Sequence, residues 1–261
     1  MKIRYHNYGF FSCCSIRLHD IIQYFNLHKT LPDSVDSSTL YDMYKPKGKT
    51  DITFDLFEHY NTQDMDIKYT DYVYINVDNF QYANYRHAPY PIISPFVKKY
   101  FTPSAHILQK SHSFISEYNI DVDNCVAVYY RGTDKSSETK LGCYEMYFEK
   151  LLELCDKYPD SQILLQTDTS QFIDYMKSKL GSNIPIIINH TKNTYNSVGV
   201  HYSQTQDENY TEIQNLLAIC LLISKCRSII MSSGNVSTWI MHYREHQDNI
   251  HQCLNGNWIN D

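Results

Sequence analysis

The sequence predicts an α/β fold built on a parallel sheet, and three observations predict it. From Cys125 onward, short runs of β-forming residues alternate with stretches of helical periodicity. Each gap between runs has room for one helix, the spacing of β-α-β crossovers. The runs themselves are almost continuously apolar, as strands covered on both faces must be.

The elements follow in order. "CVAVYYR", starting at Cys125, is a strand, and "GCYEMYFEKLLELCDKY" places Tyr144, Tyr147, Phe148, Leu151, Leu152 and Cys155 on one helical face, ended by Pro159. "SQILLQTD" is a second strand. "TSQFIDYMKSKLG" is a helix with Thr169 or Ser170 as N-cap and Gly181 as terminator. "IPIIINH" is a third strand, followed by a polar loop to about Asn209. "YTEIQNLLAICLLISKC" is a long apolar helix, "RSIIMSS" a fourth strand and "NVSTWIMHYREH" a closing helix.

The first half is less regular. "KIRYHN" reads as a strand, "YGFFSCCS" as a loop and "IRLHDIIQYFNLH" as an amphipathic helix, so that Gly9 lies at a strand-to-helix turn where a ligand can approach the backbone. "TLPDSVDSSTLYDMYKP" and "KYTDYVYINVDNFQYANYRHAPY" read as short strands and turns. The three prolines of "HAPYPIISPF" mark a connector, and "TPSAHILQKSHSFISEYNI" a helix. The organisation expected is an N-terminal domain over 1–118 and a Rossmann-like C-terminal domain over 119–261.

Composition narrows the function. At 261 residues, 43% hydrophobic and 20% charged, the chain is an ordinary globular one, and its net charge of −6 disfavours a general nucleic-acid binder. No apolar run reaches the length of a membrane span and no signal-like segment opens the chain, so a cytoplasmic protein is expected. Eight cysteines without a C-x-x-C pair read as packing residues, the adjacent Cys13 and Cys14 included. "HYREH", residues 242–246, matches an inverted zinc-protease motif, but no distant glutamate follows it and no metal site is expected. The tyrosines are spread along the whole chain and single out no site.

Ligands of open parallel sheets bind beyond the strands' carboxyl ends. Found there are Arg131, then Asp168, then Asn189 and His190, then Ser232 and Ser233. The "SSGN" turn, reaching Asn235, can offer amides and hydroxyls to phosphate oxygens at a helix N-terminus. Neither G-x-G-x-x-G nor a Walker A lysine motif occurs. Each residue also has a plainer reading: a salt bridge from Arg131 to Asp134 or Asp168, a helix-capping role for Asp168 or Ser233, a solvated loop for Glu138.

"VAVYYRGTDK", "LLQTD" and "LLISKCRSIIMSSGNVSTW", in this order and spacing, resemble three segments of the fucosyltransferase superfamily that includes the α1,6- and nodulation fucosyltransferases. The resemblance covers about residues 125 to 240, with a vaguer echo in "NYGFFS". It implies a GT-B-like fold, two Rossmann-type halves with a cleft between them. It also implies inverting transfer of fucose from GDP-fucose to a glycan or other hydroxyl acceptor, with no metal or cofactor. By position Arg131 would grip the donor diphosphate, with Gly9, Phe10, Lys135, Asp168, Ser232, Ser233 and Asn235 around the donor. His201, in "VGVHYS", would reach it from the long polar loop, and Glu138 or Asp134 would take the acceptor's proton. Tyr129 stands where the family has histidine, and Gly132 where a second arginine is common. The alternatives are a non-catalytic fold-mate that binds a sugar nucleotide or glycan, and a glycosyltransferase with another donor.

Overall fold

A computed structural model describes residues 1–58, 81–181 and 183–259. Five strands form one sheet: β1 Cys125–Tyr130, β2 Gln162–Thr167, β3 Ser228–Ser232, β4 Ile250–Leu254 and β5 Asn257–Trp258. Their spatial order is β2-β1-β3-β4-β5, with the first four parallel and β5 antiparallel to β4. The chain leaves β1 for β2 on one side and returns to β3 on the other. The order therefore reverses between β1 and β3, and their carboxyl ends border the crevice where ligands of such sheets sit.

Eight α-helices accompany the sheet among the described residues: α1 Phe10–His28, α2 Thr53–Leu56, α3 Tyr90–Tyr100, α4 Ala105–Glu117, α5 Tyr144–Lys157, α6 Ser170–Leu180, α7 Gln206–Lys225 and α8 Asn235–Arg244. Alternate residues of β1 divide the core, as a two-residue strand period requires. Val126, Val128 and Tyr130 pack with Tyr147 and Leu151 of α5 and with Phe172 and Met176 of α6. Cys125, Ala127 and Tyr129 belong to the opposite layer, with Leu217 of α7 and Trp239 of α8. That layer continues without a break into Phe10, Phe11, Ile21 and Ile22 of α1 and Phe96 of α3. Trp239 is fully buried, and its indole N–H donates to Phe11 O at 3.1 Å and Ser15 Oγ at 3.0 Å. Truncating such a residue to alanine costs about 3–5 kcal/mol.

Several expectations change. The second Rossmann-type sheet is not present among the described residues, where the β contacts before residue 118 are isolated bridges such as Lys2–Asp36 and His6–Leu40. Of "IPIIINH", only Ile186 pairs, as an isolated bridge with Leu164, so the third expected strand does not form. "YGFFSCCS" is helical rather than a loop: α1 starts at Phe10, and Cys13 and Cys14 are buried in it, their thiols pushed up in pKa chiefly by burial. The expected proline connector is α3. Pro91 occupies its first turn, where a missing N–H costs nothing, and burial of Ile93, Phe96, Val97 and Tyr100 outweighs Pro95. In α5 the buried stripe is Tyr147, Leu151 and Leu154, while Leu152 is exposed. β4 and β5 had no counterpart in the expected elements. The strands and turns expected over 68–80 lie outside the described residues.

Candidate functional site

A cavity of about 490 Å³ opens at the carboxyl ends of β1 and β2. Arg131, Asp134, Lys135, Glu138, Asp168, His201, Ser233 and Asn235 line it, and so do Gly9 and Phe10 from the other half of the chain. Ser232 is not part of the lining. Its Oγ accepts the Arg131 backbone N–H at 2.9 Å, tying the end of β3 to the end of β1. Asn189 and His190 are not in the wall either: His190 stacks on Phe114 at 4.7 Å and meets Glu117 at 3.2 Å. Thr191 and Lys192 line the cavity instead.

Arg131 is held from two sides. Its guanidinium donates to Asp168, to Asp134 Oδ1 at 2.6 Å and to Thr133 Oγ1 at 3.2 Å. Burial alone would lower its pKa; the Asp168 carboxylate outweighs that and holds it above its ordinary value. Both salt bridges of the plainer reading therefore exist. Yet a guanidinium has five N–H donors, and three are engaged among the described residues, which leaves two for a ligand. With its side chain 22% exposed, Arg131 still faces the cavity.

Asp168 is the hub of this loop rather than a helix cap. It accepts from Gly132 N at 2.9 Å, Thr133 Oγ1 at 2.6 Å and Thr169 Oγ1 at 3.0 Å besides Arg131. Burial pushes its carboxyl up, but Arg131 and these donors bring it below the usual carboxylate range. The same packing explains Gly132 where a second arginine was expected from the resemblance. A Cβ there would lie 2.4 Å from Thr169 Oγ1 and 2.6 Å from Tyr130 Cε1.

Lys135 is buried and reaches Glu138 Oε2 at 2.5 Å and Gln81 Oε1 at 3.0 Å. Tyr82 donates its hydroxyl to the same Glu138 oxygen at 2.6 Å. Burial raises the Glu138 carboxyl, and these two partners with the Arg131 charge take it below its ordinary value. Glu138 thus remains exposed, as the plainer reading has it, but its carboxylate is paired rather than free. His201 has its pKa lowered by burial first and by Arg131 second, and its Nε2 is buried without a hydrogen-bond partner among the described residues.

Two helix N-termini open on this cavity. Neither Gly9, before α1, nor Gly234, before α8, offers a capping side chain, and Phe10, Phe11, Asn235 and Val236 line the wall. The first N–H groups of a helix have no partner within it and carry the positive end of its dipole. Tyr44 OH takes the Phe10 N–H at 2.9 Å and Tyr85 OH takes the Gly234 N–H at 3.0 Å. Ser233 spends its hydroxyl on Cys253 O at 2.9 Å, so what it can add to the site is its place in the turn. The two uncapped helix ends, Arg131 and Lys135 together suit a polyanion with oxygens several ångströms apart.

Other wall residues were not singled out in the sequence: Tyr44, Gln81, Gln166, Thr191, Lys192, Asn209 and Glu212. Among the described residues no three His, Cys, Asp or Glu side chains group as a metal site. In "HYREH" the helix ends at Arg244; His242 is buried against Trp239 at 5.1 Å, and His246 lies past the end beside Asp248.

No protein-family model matches the chain, and no curated protein does. Among solved structures it is similar to a crystal structure of NodZ alpha-1,6-fucosyltransferase soaked with GDP-fucose, with a TM-score of 0.41 and 13% sequence identity. The likeness covers 63% of this chain and 49% of that one, so the chain spans about half the length of that protein.

Proposed function

We propose that the cavity binds the diphosphate of a nucleotide sugar and that the protein is an inverting glycosyltransferase, with fucose of GDP-fucose as the donor sugar and a hydroxyl of a glycan as acceptor. One observation carries the reading: two uncapped helix N-termini, Arg131 and Lys135 converge on a single cavity at the reversal point of the sheet. When the bond from the anomeric carbon to the diphosphate breaks, negative charge grows on the β-phosphate. Fixed donors aimed there lower the barrier, each by about 3 kcal/mol when well placed. Arg131 supplies the two N–H groups that Asp168, Asp134 and Thr133 leave over, and the helix ends supply backbone amides. No step in this scheme calls on a metal.

A binding-only module is favoured by a different observation. Asp134 and Glu138, the two carboxylates expected to act as base, are both tied to cations. Release of GDP separates the readings. Incubated with GDP-fucose and a set of glycan acceptors, an enzyme releases GDP in step with acceptor; a binding module retains GDP affinity and releases none.

A further inference from the structure

Four carboxylates line the cavity: Asp134, Glu138, Asp168 and Glu212. Asp134 and Asp168 are paired with Arg131 and Glu138 with Lys135. Glu212, on α7, has no cationic partner among the described residues. Its Oε1 accepts the Lys192 backbone N–H at 2.9 Å, which fixes the carboxyl without neutralising it. The Lys192 ammonium pairs with Glu208 Oε1 at 3.1 Å instead.

The surroundings keep this carboxyl in the cavity and connect it to the proposed diphosphate grip. Asn209, one turn before it, and Leu216, one turn after, line the same wall, as do Ile213 and Ile219. Asn209 is buried and its Oδ1 has no hydrogen-bond partner among the described residues. Thr191, next to the Lys192 donor, bonds Gln166 Oε1 at 3.4 Å, and Gln166 precedes Asp168 by two residues on β2. The charged groups around Glu212 are Lys192 from the loop before α7 and Glu208 on α7 itself; β2 contributes the neutral Gln166, and Arg131 and Asp168 belong to the same cavity.

The geometry points to Glu212 as the group that takes the proton of the acceptor hydroxyl, in place of Glu138 or Asp134. The inference rests on the glycosyltransferase reading. In the step, the acceptor oxygen forms a bond to the anomeric carbon of the nucleotide sugar. The bond from that carbon to the β-phosphate oxygen breaks, its electron pair leaving with the nucleoside diphosphate, and the hydroxyl proton passes to the Glu212 carboxylate and then to solvent. A base must have a free lone pair and a pKa near the working pH. Burial pushes Glu212 up to about 7, against the smaller opposing effects of the Lys192 N–H and charge, while Glu138 is drawn down by its partners.

The test is the pH profile of kcat/KM for transfer from GDP-fucose, from about pH 5 to about pH 9, on the wild type, Glu212→Gln, Glu212→Asp and Glu138→Gln, with GDP calorimetry on each. The expected wild-type profile rises about tenfold per pH unit and levels near neutrality. Glu212→Gln should lose at least about a hundredfold and the rising limb, with GDP affinity kept within about threefold. Glu212→Asp should keep the limb at a lower rate, and Glu138→Gln should keep it whatever its rate. A limb that survives in Glu212→Gln, or disappears in Glu138→Gln, overturns the assignment and leaves the glycosyltransferase reading standing. A wild type that binds GDP without turning over at any pH overturns both, and the calorimetry then shows that only the donor site remains.

Discussion

The N-terminus of α7 and those of α1 and α8 solve the same problem in opposite ways. At α7, Thr205 Oγ1 takes the Glu208 N–H at 3.3 Å and the Glu208 carboxylate returns to the Thr205 N–H at 2.9 Å. Glu208 is drawn down to about 2 by that backbone bond, with Lys192 and the Thr205 hydroxyl adding to it. This helix end is closed and faces solvent. At α1 and α8 a glycine stands at the cap and has no side chain to close the end; tyrosine hydroxyls take the Phe10 and Gly234 N–H groups, and Phe11, Asn235 and Val236 of the first turns line the cavity. A helix end satisfied by its own sequence is a structural device, whereas an open end facing a cavity is available to an anion.

The largest effect should come from breaking the hub beneath the open ends. Asp168→Asn removes the charge opposite Arg131 and points an amide N–H₂ at donors; breaking a buried pair of this kind costs about 3 kcal/mol. Thermal melts should show it, and GDP binding should fall with it. Next comes the contrast of two glycines. Gly132→Ala drives a methyl into Thr169 and Tyr130, an overpacking cost of about 1–3 kcal/mol. Gly9→Ala meets nothing within 4 Å, so its stability should stay within about 0.5 kcal/mol of wild type. Equal melting temperatures for the two would contradict the packing described here.

Glu212 yields a pH-dependent effect. Its folded pKa is raised above the unfolded value, so its contribution is favourable below about pH 4 and is lost as pH rises through about 7. Glu212→Gln should therefore gain stability relative to wild type as pH rises from about 5 to about 8, by about 1–2 kcal/mol after allowance for its partial exposure. Asp168 and Glu138 act in the other direction. Their lowered pKa values stabilise the fold above about pH 4, and that stability is lost as pH falls through the folded values. The closed end should affect stability alone. Thr205→Ala should cost about 1 kcal/mol and leave GDP binding unchanged.

What was legible in the sequence was what local chemistry decides. β1, β2 and β3 stood out as apolar runs, and Arg131 and Asp168 as charges at their ends. The less legible parts depend on tertiary context. β4, "IHQCL", contains a glutamine that no strand pattern favours, yet Gln252 is buried because it accepts from Tyr85 N at 2.9 Å and donates to Ala83 O and Ser233 Oγ, both at 2.8 Å. Pro95 argued against α3, and the burial of its neighbours overruled it. Glu212 occupies an ordinary place in a helix sequence. Glu208, one turn earlier on the same face, is spent on the exposed capping box and on Lys192, whereas Glu212 lines the cavity. Thr133 was readable in principle, lying inside "RGTDK" between the residues that were chosen.

The central claim, that Arg131 and the open helix ends form a nucleoside-diphosphate site, is tested most directly by calorimetry of GDP and UDP against the wild type and Arg131→Ala without added metal. The account predicts GDP binding that exceeds UDP binding and weakens at least about a hundredfold in the variant, or about 2.7 kcal/mol. A folded wild type that binds neither nucleotide, or an Arg131→Ala variant that binds GDP as well as the wild type does, would contradict it.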